Sequence, residues 1–193
     1  MEQIFSKRLK SARQLSGLSL RELAGKIIPE LSYQAVSNYE KGKRKPDSSV
    51  IVSLAEALDV PVDYFFRESK IKLDNIEFRK KAQLGKKNTD RIKYYSIDYL
   101  ERYFEIEDIL NLKKQFKNPL EKIIVKSRED IETAAIELRK KWELGIDPVH
   151  NIIEMLEGKC IKIIEIDFEE DFDGLSAAVT NTPVIVLNKN FAA

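Results

Sequence analysis

The sequence predicts a mainly α-helical protein in three parts: an N-terminal five-helix bundle, a helical linker, and an α+β segment with a short antiparallel sheet. Three observations predict this. Apolar residues recur at three- and four-residue spacing through most of the chain, which is the period of an amphipathic helix. Serine, aspartate, glycine and proline mark the ends of these stretches. Towards the C terminus the apolar period shortens to that of strands. We place the boundaries at residues 1–67, 68–119 and 120–193.

Composition predicts a soluble protein of the cytoplasm. Charged residues make up 34% and hydrophobic ones 43% of the 193 residues. No apolar run approaches the roughly 20 residues that a membrane span requires. We expect no signal peptide, because Lys7, Arg8 and Lys10 interrupt the N-terminal apolar residues. The single cysteine, Cys160, excludes an internal disulfide framework and fits a reducing compartment.

Charge is unevenly distributed although the net charge is only +1. Residues 1–66 carry a net charge of +2, residues 67–120 carry +5, and residues 121–193 carry −6. A polyanion would therefore meet the first two thirds of the chain, and DNA binding is expected in the N-terminal part.

The first helix is predicted from Ile4 to Leu15, with Phe5, Leu9 and Ala12 on one apolar face. A second helix begins after the cap residue Ser19. Its apolar stripe is formed by Leu20, Leu23, Ala24 and Ile27, so it is expected to pack against the first helix.

A third helix is predicted from Tyr33 to about Lys41, because Pro29 ends the second helix and Ser32 can cap the next one. Gly42 is expected to close it in the left-handed conformation. Helical spacing places Ala35, Val36 and Tyr39 inward, and it places Tyr33, Gln34, Ser37, Asn38 and Lys41 on the outer side.

The outer side of the third helix is typical of a DNA-reading surface. Glutamine and asparagine match the donor and acceptor pattern of an adenine edge, and recognition helices present such residues from their first turns. Gln34 is the first candidate and Asn38 the second. The base-reading candidates are Tyr33, Gln34, Ser37 and Asn38, and the phosphate-binding candidates are Ser19, Arg21, Lys41, Lys43, Arg44 and Lys45. The alternative is that these polar residues simply form a solvated helix face.

From Leu9 to Phe66 the chain resembles the XRE-type helix-turn-helix family of Cro and phage repressors. The resemblance rests on RLKSARQLSGLSLRELA, VSNYEKGKRKP and LAEALDVPVDYFF. It implies a lambda-repressor-like bundle that binds double-stranded DNA. The chain departs from the family at Leu20, where many members carry a phosphate-binding glutamine, and in the long turn IIPEL.

Two more helices complete the predicted bundle. Asp47 or Ser48 can cap a helix whose inner face contains Ile51, Leu54, Ala55 and Leu58. Pro61 then begins a short last helix, with Val62, Phe65 and Phe66 expected to seal the core.

The linker is predicted to hold short ordered pieces and then one long amphipathic helix from Asp90 to Lys114. Its basic residues Arg79, Lys80, Lys81, Lys86 and Lys87 either flank DNA or form a solvated charge run; we favour the second. The stripe of the long helix consists of Ile92, Tyr95, Tyr99, Leu100, Tyr103, Phe104, Ile106 and Leu110. Either the C-terminal part of the same chain or a second copy must cover it.

The C-terminal part begins with a helix that Ser127 and Asp130 cap and that carries Ile131, Ala134, Ala135, Leu138 and Trp142. A second helix is predicted to start at Asp147-Pro148 and to end at Gly158. A strand containing Cys160 and Ile161–Ile166 follows, and a hairpin comes after the acidic loop DFEEDFDG.

This part resembles the beginning of the ImmA/IrrE-type metallopeptidase domain, in DIETAAIELRKKWELGIDPVHNIIEMLEGKCIKIIEID, FDGLSAAV and PVIVLNKNF. The resemblance implies that a helix bearing His-Glu-x-x-His, the zinc-binding motif, comes next. The sequence ends at Phe191-Ala192-Ala193 without it. We therefore expect no catalytic residues, no metal and no cofactor, and one sheet face left open where that helix would pack.

The leading hypothesis is a sequence-specific DNA-binding transcriptional regulator, a repressor that acts as a homodimer on an inverted repeat. One alternative is a zinc peptidase that has lost its catalytic end. Another is an antitoxin or phage-immunity component whose C-terminal sheet binds a protein partner.

Overall fold

A computed structural model describes residues 2–79, 84–112, 114–168 and 172–191. In order, the elements are α1 (Glu2–Leu15), α2 (Leu20–Lys26), α3 (Tyr33–Glu40), α4 (Ser48–Leu58), a 3₁₀ helix (Val62–Phe66), β1 (Asp74–Arg79), α5 (Lys86–Ile109), α6 (Arg128–Lys141), α7 (Ile152–Gly158), β2 (Lys162–Ile166), β3 (Gly174–Val179), β4 (Thr182–Asn188) and a 3₁₀ turn (Lys189–Phe191). Lys80 and Lys81 of the basic run, Glu169–Asp171 of the acidic loop and the last two alanines lie outside the described residues.

The N-terminal bundle, residues 2–66, encloses one apolar core, as the helical period predicted. Its fully buried centre consists of Leu9, Ala12, Leu23, Val36, Leu54 and Phe65. Each of the four α-helices contributes at least one of these side chains, and the 3₁₀ helix contributes Phe65. The positions of α2, α3 and the turn between them are therefore set by a shared core rather than by local propensity.

The fifth helix of the predicted bundle is a 3₁₀ helix rather than an α-helix. It spans only Val62–Phe66. Its hydrogen bonds join residues three positions apart, such as the bond from the Tyr64 N–H to the Pro61 carbonyl. The prediction that Val62, Phe65 and Phe66 seal the core is confirmed only for Phe65, which is fully buried. Val62 and Phe66 are 40% and 46% exposed. Tyr64 takes the inner position instead, because the tighter helix rotates the side chains.

The segment predicted as a linker contributes to the C-terminal sheet. Residues 74–79 form β1, which pairs antiparallel with β3. The long helix α5 ends at Ile109 and packs on the same sheet through the fully buried Ile92 and Leu100. The apolar stripe of this helix is therefore covered by the C-terminal part of the same chain, which is one of the two alternatives given above. Tyr95, Ile106 and Leu110 stay exposed.

The sheet is mixed, so the prediction of an antiparallel sheet was wrong in one pairing. The strand order is β1-β3-β4-β2, and β2 runs parallel to β4 with Ile164 opposite Val186. The hairpin of β3 and β4 is antiparallel as predicted. The alternation of apolar residues reveals strands and their inner face, but it does not reveal which edge of a hairpin a third strand joins.

The two faces of the sheet are covered differently. Val184 and Val186 of β4 face α5 and are fully buried. Ile185 and Leu187 face the other way and are half-buried, so the face that was predicted to stay open is covered only in part. The strongly exposed isoleucines of this part lie elsewhere, on α6, on α7 and in the loops beside them: Ile124, Ile131, Ile136, Ile146 and Ile152.

Three local expectations in the C-terminal part have different outcomes. The capping box of Ser127 and Asp130 is present at the start of α6. Asp147-Pro148 does not start α7, because Asn151 provides the cap four residues later. Cys160 is not on a strand: it is half-buried in the turn before β2, with a φ of +66°. None of the helices in the described part of the chain is long and apolar enough to cross a bilayer.

Candidate nucleic-acid interface

The helix α2 begins with a complete capping box. The Ser19 hydroxyl accepts a bond from the Glu22 N–H at 3.2 Å, and the Glu22 carboxylate accepts one from the Ser19 N–H at 2.6 Å. These bonds hold the pKa of the exposed Glu22 below its usual value, with Lys87 as a further cause. The hydroxyl proton of Ser19 remains available for a phosphate oxygen. Leu20, in contrast, is half-buried against the core, and its side chain has no hydrogen-bond donor for a phosphate.

The helix α3 presents the polar side that the sequence predicted. Ser32 caps it through a 3.2 Å bond from the Ala35 N–H, and Val36 and Tyr39 are buried beneath it. The third residue predicted to face inward, Ala35, is half-buried.

The four base-reading candidates lie on the outer side of α3 but differ in exposure. Tyr33 and Gln34 are exposed at the first turn, whereas Ser37 and Asn38 are half-buried one turn later. The guanidinium of Arg21 lies over the Tyr33 ring, 5.4 Å from its centroid. This contact brings a phosphate-binding candidate of α2 against the start of α3.

The basic segment after α3 is held by a glycine. Gly42 has a φ of +66°, as predicted. Its N–H donates to the Tyr39 carbonyl and the Lys43 N–H donates to the Asn38 carbonyl, which is the Schellman arrangement. The four cations of this stretch, Lys41, Lys43, Arg44 and Lys45, are all exposed. Helix α3 therefore ends in a fixed turn from which these side chains extend into solvent.

A buried ion pair that sequence reasoning missed orients α3. Arg13 of α1 forms two hydrogen bonds to the carboxylate of Glu40, at 2.5 and 2.9 Å, and both side chains are nearly buried. A third bond, 2.8 Å long, joins Arg13 to the Leu18 carbonyl. No local pattern in the sequence indicates this pair, because only the tertiary structure brings Arg13 to a carboxylate 27 residues away.

The same pair also lies near the long helix. Tyr94 of α5 is half-buried beside it, and burial, followed by the charge of Asp90, raises the pKa of the phenol. Gln14, next to Arg13, donates to the Asp90 carboxylate at 3.0 Å. The helix α5 therefore contacts α1 directly behind the residue that positions α3.

The described residues show no grouping of three or more histidine, cysteine, aspartate or glutamate side chains that would hold a metal ion. His150 is exposed, and Cys160 is a free thiol in its turn. The two lie on either side of α7 in the sequence.

Residues 9–65 match the family model described as Helix-turn-helix. The matched region coincides with the N-terminal bundle and is similar to helix-turn-helix domains. The chain is 33% identical over 69 residues to the HTH-type transcriptional regulator ImmR of Bacillus subtilis (strain 168), a match that covers 36% of this chain and 53% of ImmR. It is 32% identical over 78 residues to the uncharacterized HTH-type transcriptional regulator YqaE of the same organism, covering 40% of this chain and 66% of YqaE. The chain thus spans about half to two thirds of the relatives it matches.

Proposed function

We propose that this protein is a sequence-specific DNA-binding transcriptional regulator, and that it represses transcription as a dimer on an inverted-repeat operator. The observation that carries the proposal is the outer side of α3. It presents Tyr33 and Gln34 to solvent, and the exposed basic turn after Gly42 follows it directly. The helix-turn-helix domain and the two relatives named as transcriptional regulators support it.

In this proposal the residues divide into two roles. Gln34, and after it Asn38, read base edges in the major groove, with Tyr33 and Ser37 beside them. The phosphate contacts, which fix the register of the helix without reading sequence, come from Ser19, Arg21, Lys41, Lys43, Arg44 and Lys45. Two copies are proposed because dimeric helix-turn-helix proteins read half-sites about 34–36 Å apart, one turn of DNA.

The test begins with selection of binding sites from a random duplex pool, followed by footprinting of the selected site upstream of the protein's own gene. The expected result is an inverted repeat protected by two chains. Equal affinity for the selected site and for random duplex would overturn the proposal. Binding of one chain per site would contradict the proposal that the protein binds as a dimer.

Two substitutions separate reading from anchoring. Gln34→Ala is expected to cost about 1–3 kcal/mol at one operator position and to leave random-sequence binding unchanged. Arg44→Ala is expected to weaken all sequences alike and to lower the slope of log K against log salt by about one. Loss of the same size for both variants on every sequence would show that the roles are assigned wrongly.

The enzymatic alternative is tested outside this chain. This alternative predicts that the gene continues past codon 193 and that the next helix carries His-Glu-x-x-His. The helix-turn-helix would then direct a zinc peptidase to DNA. A reading frame that continues without this motif would exclude that alternative.

A further inference from the structure

The first turn of α5 lies against the start of α2, although Lys87 follows Glu22 by 65 residues in the sequence. Lys87 Nζ is 3.6 Å from the Glu22 carboxylate, and Glu22 forms the capping box with Ser19. On the other side, the turn between α1 and α2 passes Arg91 at Gly17, where an added Cβ would lie 3.3 Å from Arg91 Cδ. The helix α5 is therefore docked with its N-terminal end beside the phosphate-binding candidate Ser19.

The charges of α5 are arranged against its helix dipole. Acidic residues are favoured in the first turn of a helix and basic ones in the last turn. The first turn of α5 contains Lys86 and Lys87 and no acidic residue, and its last turn contains no basic residue. Carboxylates instead cluster in its second half: Asp98, Glu101, Glu105, Glu107 and Asp108. Favourable interaction with the helix dipole therefore does not account for two lysines at the N-terminal end of α5.

The acidic half of α5 has partners within the chain. Glu101 binds the buried Arg8 of α1 at 2.6 Å, and Glu107 binds Lys162 of β2 at 2.6 Å. Among the residues that the structure describes, the basic half has one such ion pair, the 3.6 Å contact of Lys87 with Glu22, and both side chains of that pair are more than half exposed. Lys86 is exposed and has no charged partner among the described residues.

The carboxylate of Glu22 places a negative charge close to Ser19. It lies at the N-terminus of α2, where it would repel a phosphate approaching Ser19. Lys87 places a positive charge at that point. Lys87 therefore offsets the negative charge beside Ser19, and Lys86, the preceding residue of the same first turn, adds a further positive charge to this end of α5.

From this juxtaposition we infer that the first turn of α5 belongs to the DNA interface, with Lys86 and Lys87 contacting backbone phosphates that flank the contact of Ser19. The inference rests on the proposed function and extends it beyond the helix-turn-helix domain at residues 9–65. These contacts would add affinity without adding sequence preference.

The experiment measures binding of the full chain to its selected duplex between about 50 and 200 mM salt. In Lys86→Ala/Lys87→Ala the slope of log K against log salt is expected to fall by about 1–2, since each phosphate contact contributes about 0.9. The ratio of affinities for the selected and random duplex is expected to stay the same. The matched control is Lys122→Ala/Lys126→Ala, which removes the same charge between α5 and α6.

A second variant separates a phosphate contact from simple neutralisation of Glu22. Glu22→Gln/Lys87→Gln removes both charges, and glutamine retains the capping box. A slope below that of the unaltered protein supports the inference, and an unaltered slope overturns it for Lys87. Equal slopes for the Lys86/Lys87 variant and its control overturn it altogether. Failure of the unaltered chain to prefer any duplex would instead overturn the proposed function.

Discussion

The N-terminal bundle and the helical segment of residues 110–158 are both built from amphipathic patterns, yet they differ in burial. In the bundle, every α-helix contributes a fully buried side chain to one core. In the described part of residues 110–158, only Ala134 is buried. The apolar period and the caps predict that a helix forms, but they do not predict that its apolar face finds a partner.

The cause of the difference is the way that the elements are held together. In the bundle, short connections bring successive helices onto the same centre, and the pair of Arg13 with Glu40 fixes α3 from behind. The helix α6 has a complete capping box and a basic last turn, but Ile131 and Ile136 on it are 54% and 66% exposed. Its stability therefore depends on local interactions, whereas that of α3 depends on tertiary ones.

The largest expected effect comes from the ion pair of the bundle. Arg13→Ala leaves the Glu40 carboxylate buried without its partner and is expected to lower the free energy of unfolding by about 3–5 kcal/mol. Arg8→Ala is the comparison variant. It is expected to cost less, because Glu101 keeps its bond from the Ser69 hydroxyl. Urea denaturation followed by circular dichroism measures both, and a larger loss for Arg8→Ala would contradict the expected order.

Truncation of an apolar side chain tests the comparison directly. Leu9→Ala is expected to cost about 2–5 kcal/mol, because the bundle closes around a fully buried leucine. Ile136→Ala on α6 is the matched variant. It is expected to change the free energy of unfolding by less than about 0.5 kcal/mol, since most of that side chain is in solvent. A large loss for Ile136→Ala would show that a second copy or partner covers α6 in solution.

The two serine capping boxes provide a matched pair. Ser19→Ala is expected to cost the bundle about 0.5–2 kcal/mol. Ser127→Ala is expected to unwind the start of α6 without lowering the stability of the bundle. Hydrogen exchange resolved by segment measures both, and the fluorescence of Trp142, the only tryptophan, reports on α6 independently. Faster exchange in α1–α4 of Ser127→Ala would contradict this separation.

The smallest expected effect is a dependence on acid. Bonds from the Ser49 hydroxyl and the Val50 N–H lower the pKa of Asp47 in the folded bundle. A pKa depressed by folding stabilises the protein above the unfolded value, about 3.9, and this stabilisation is lost as the pH falls through the folded value. Asp47→Asn keeps a cap, so its melting temperature is expected to fall less steeply below about pH 4. Parallel melting curves would contradict this.

The sequence predicted most of the bundle and the placement of the candidate interface. Ser19, Ser32 and Gly42 mark helix ends by chemistry that acts over three or four residues, so their roles are readable from the sequence. The side of α3 that faces solvent follows from its period. The specific roles of Gln34 and Arg44 stay predictions.

What the sequence did not predict depends on contacts between distant residues. The pairing of Arg13 with Glu40 and the docking of α5 beside Glu22 join residues that carry no mutual signal in the sequence. The same holds for β1, whose residues looked like part of a linker because only the edge of β3 makes them a strand. The parallel pairing of β2 with β4 was missed for this reason too.

The strand β1 determines how this protein can be divided experimentally. A fragment starting at residue 120, where the sequence suggests a boundary, would lack both β1 and α5. The edge of β3 would then be left unpaired, and Val184 and Val186 would lose the helix that shields them from water. Such a fragment would self-associate through that bare edge. A cut between residues 67 and 73 preserves the sheet, and it is the place at which expression of the two halves should be attempted.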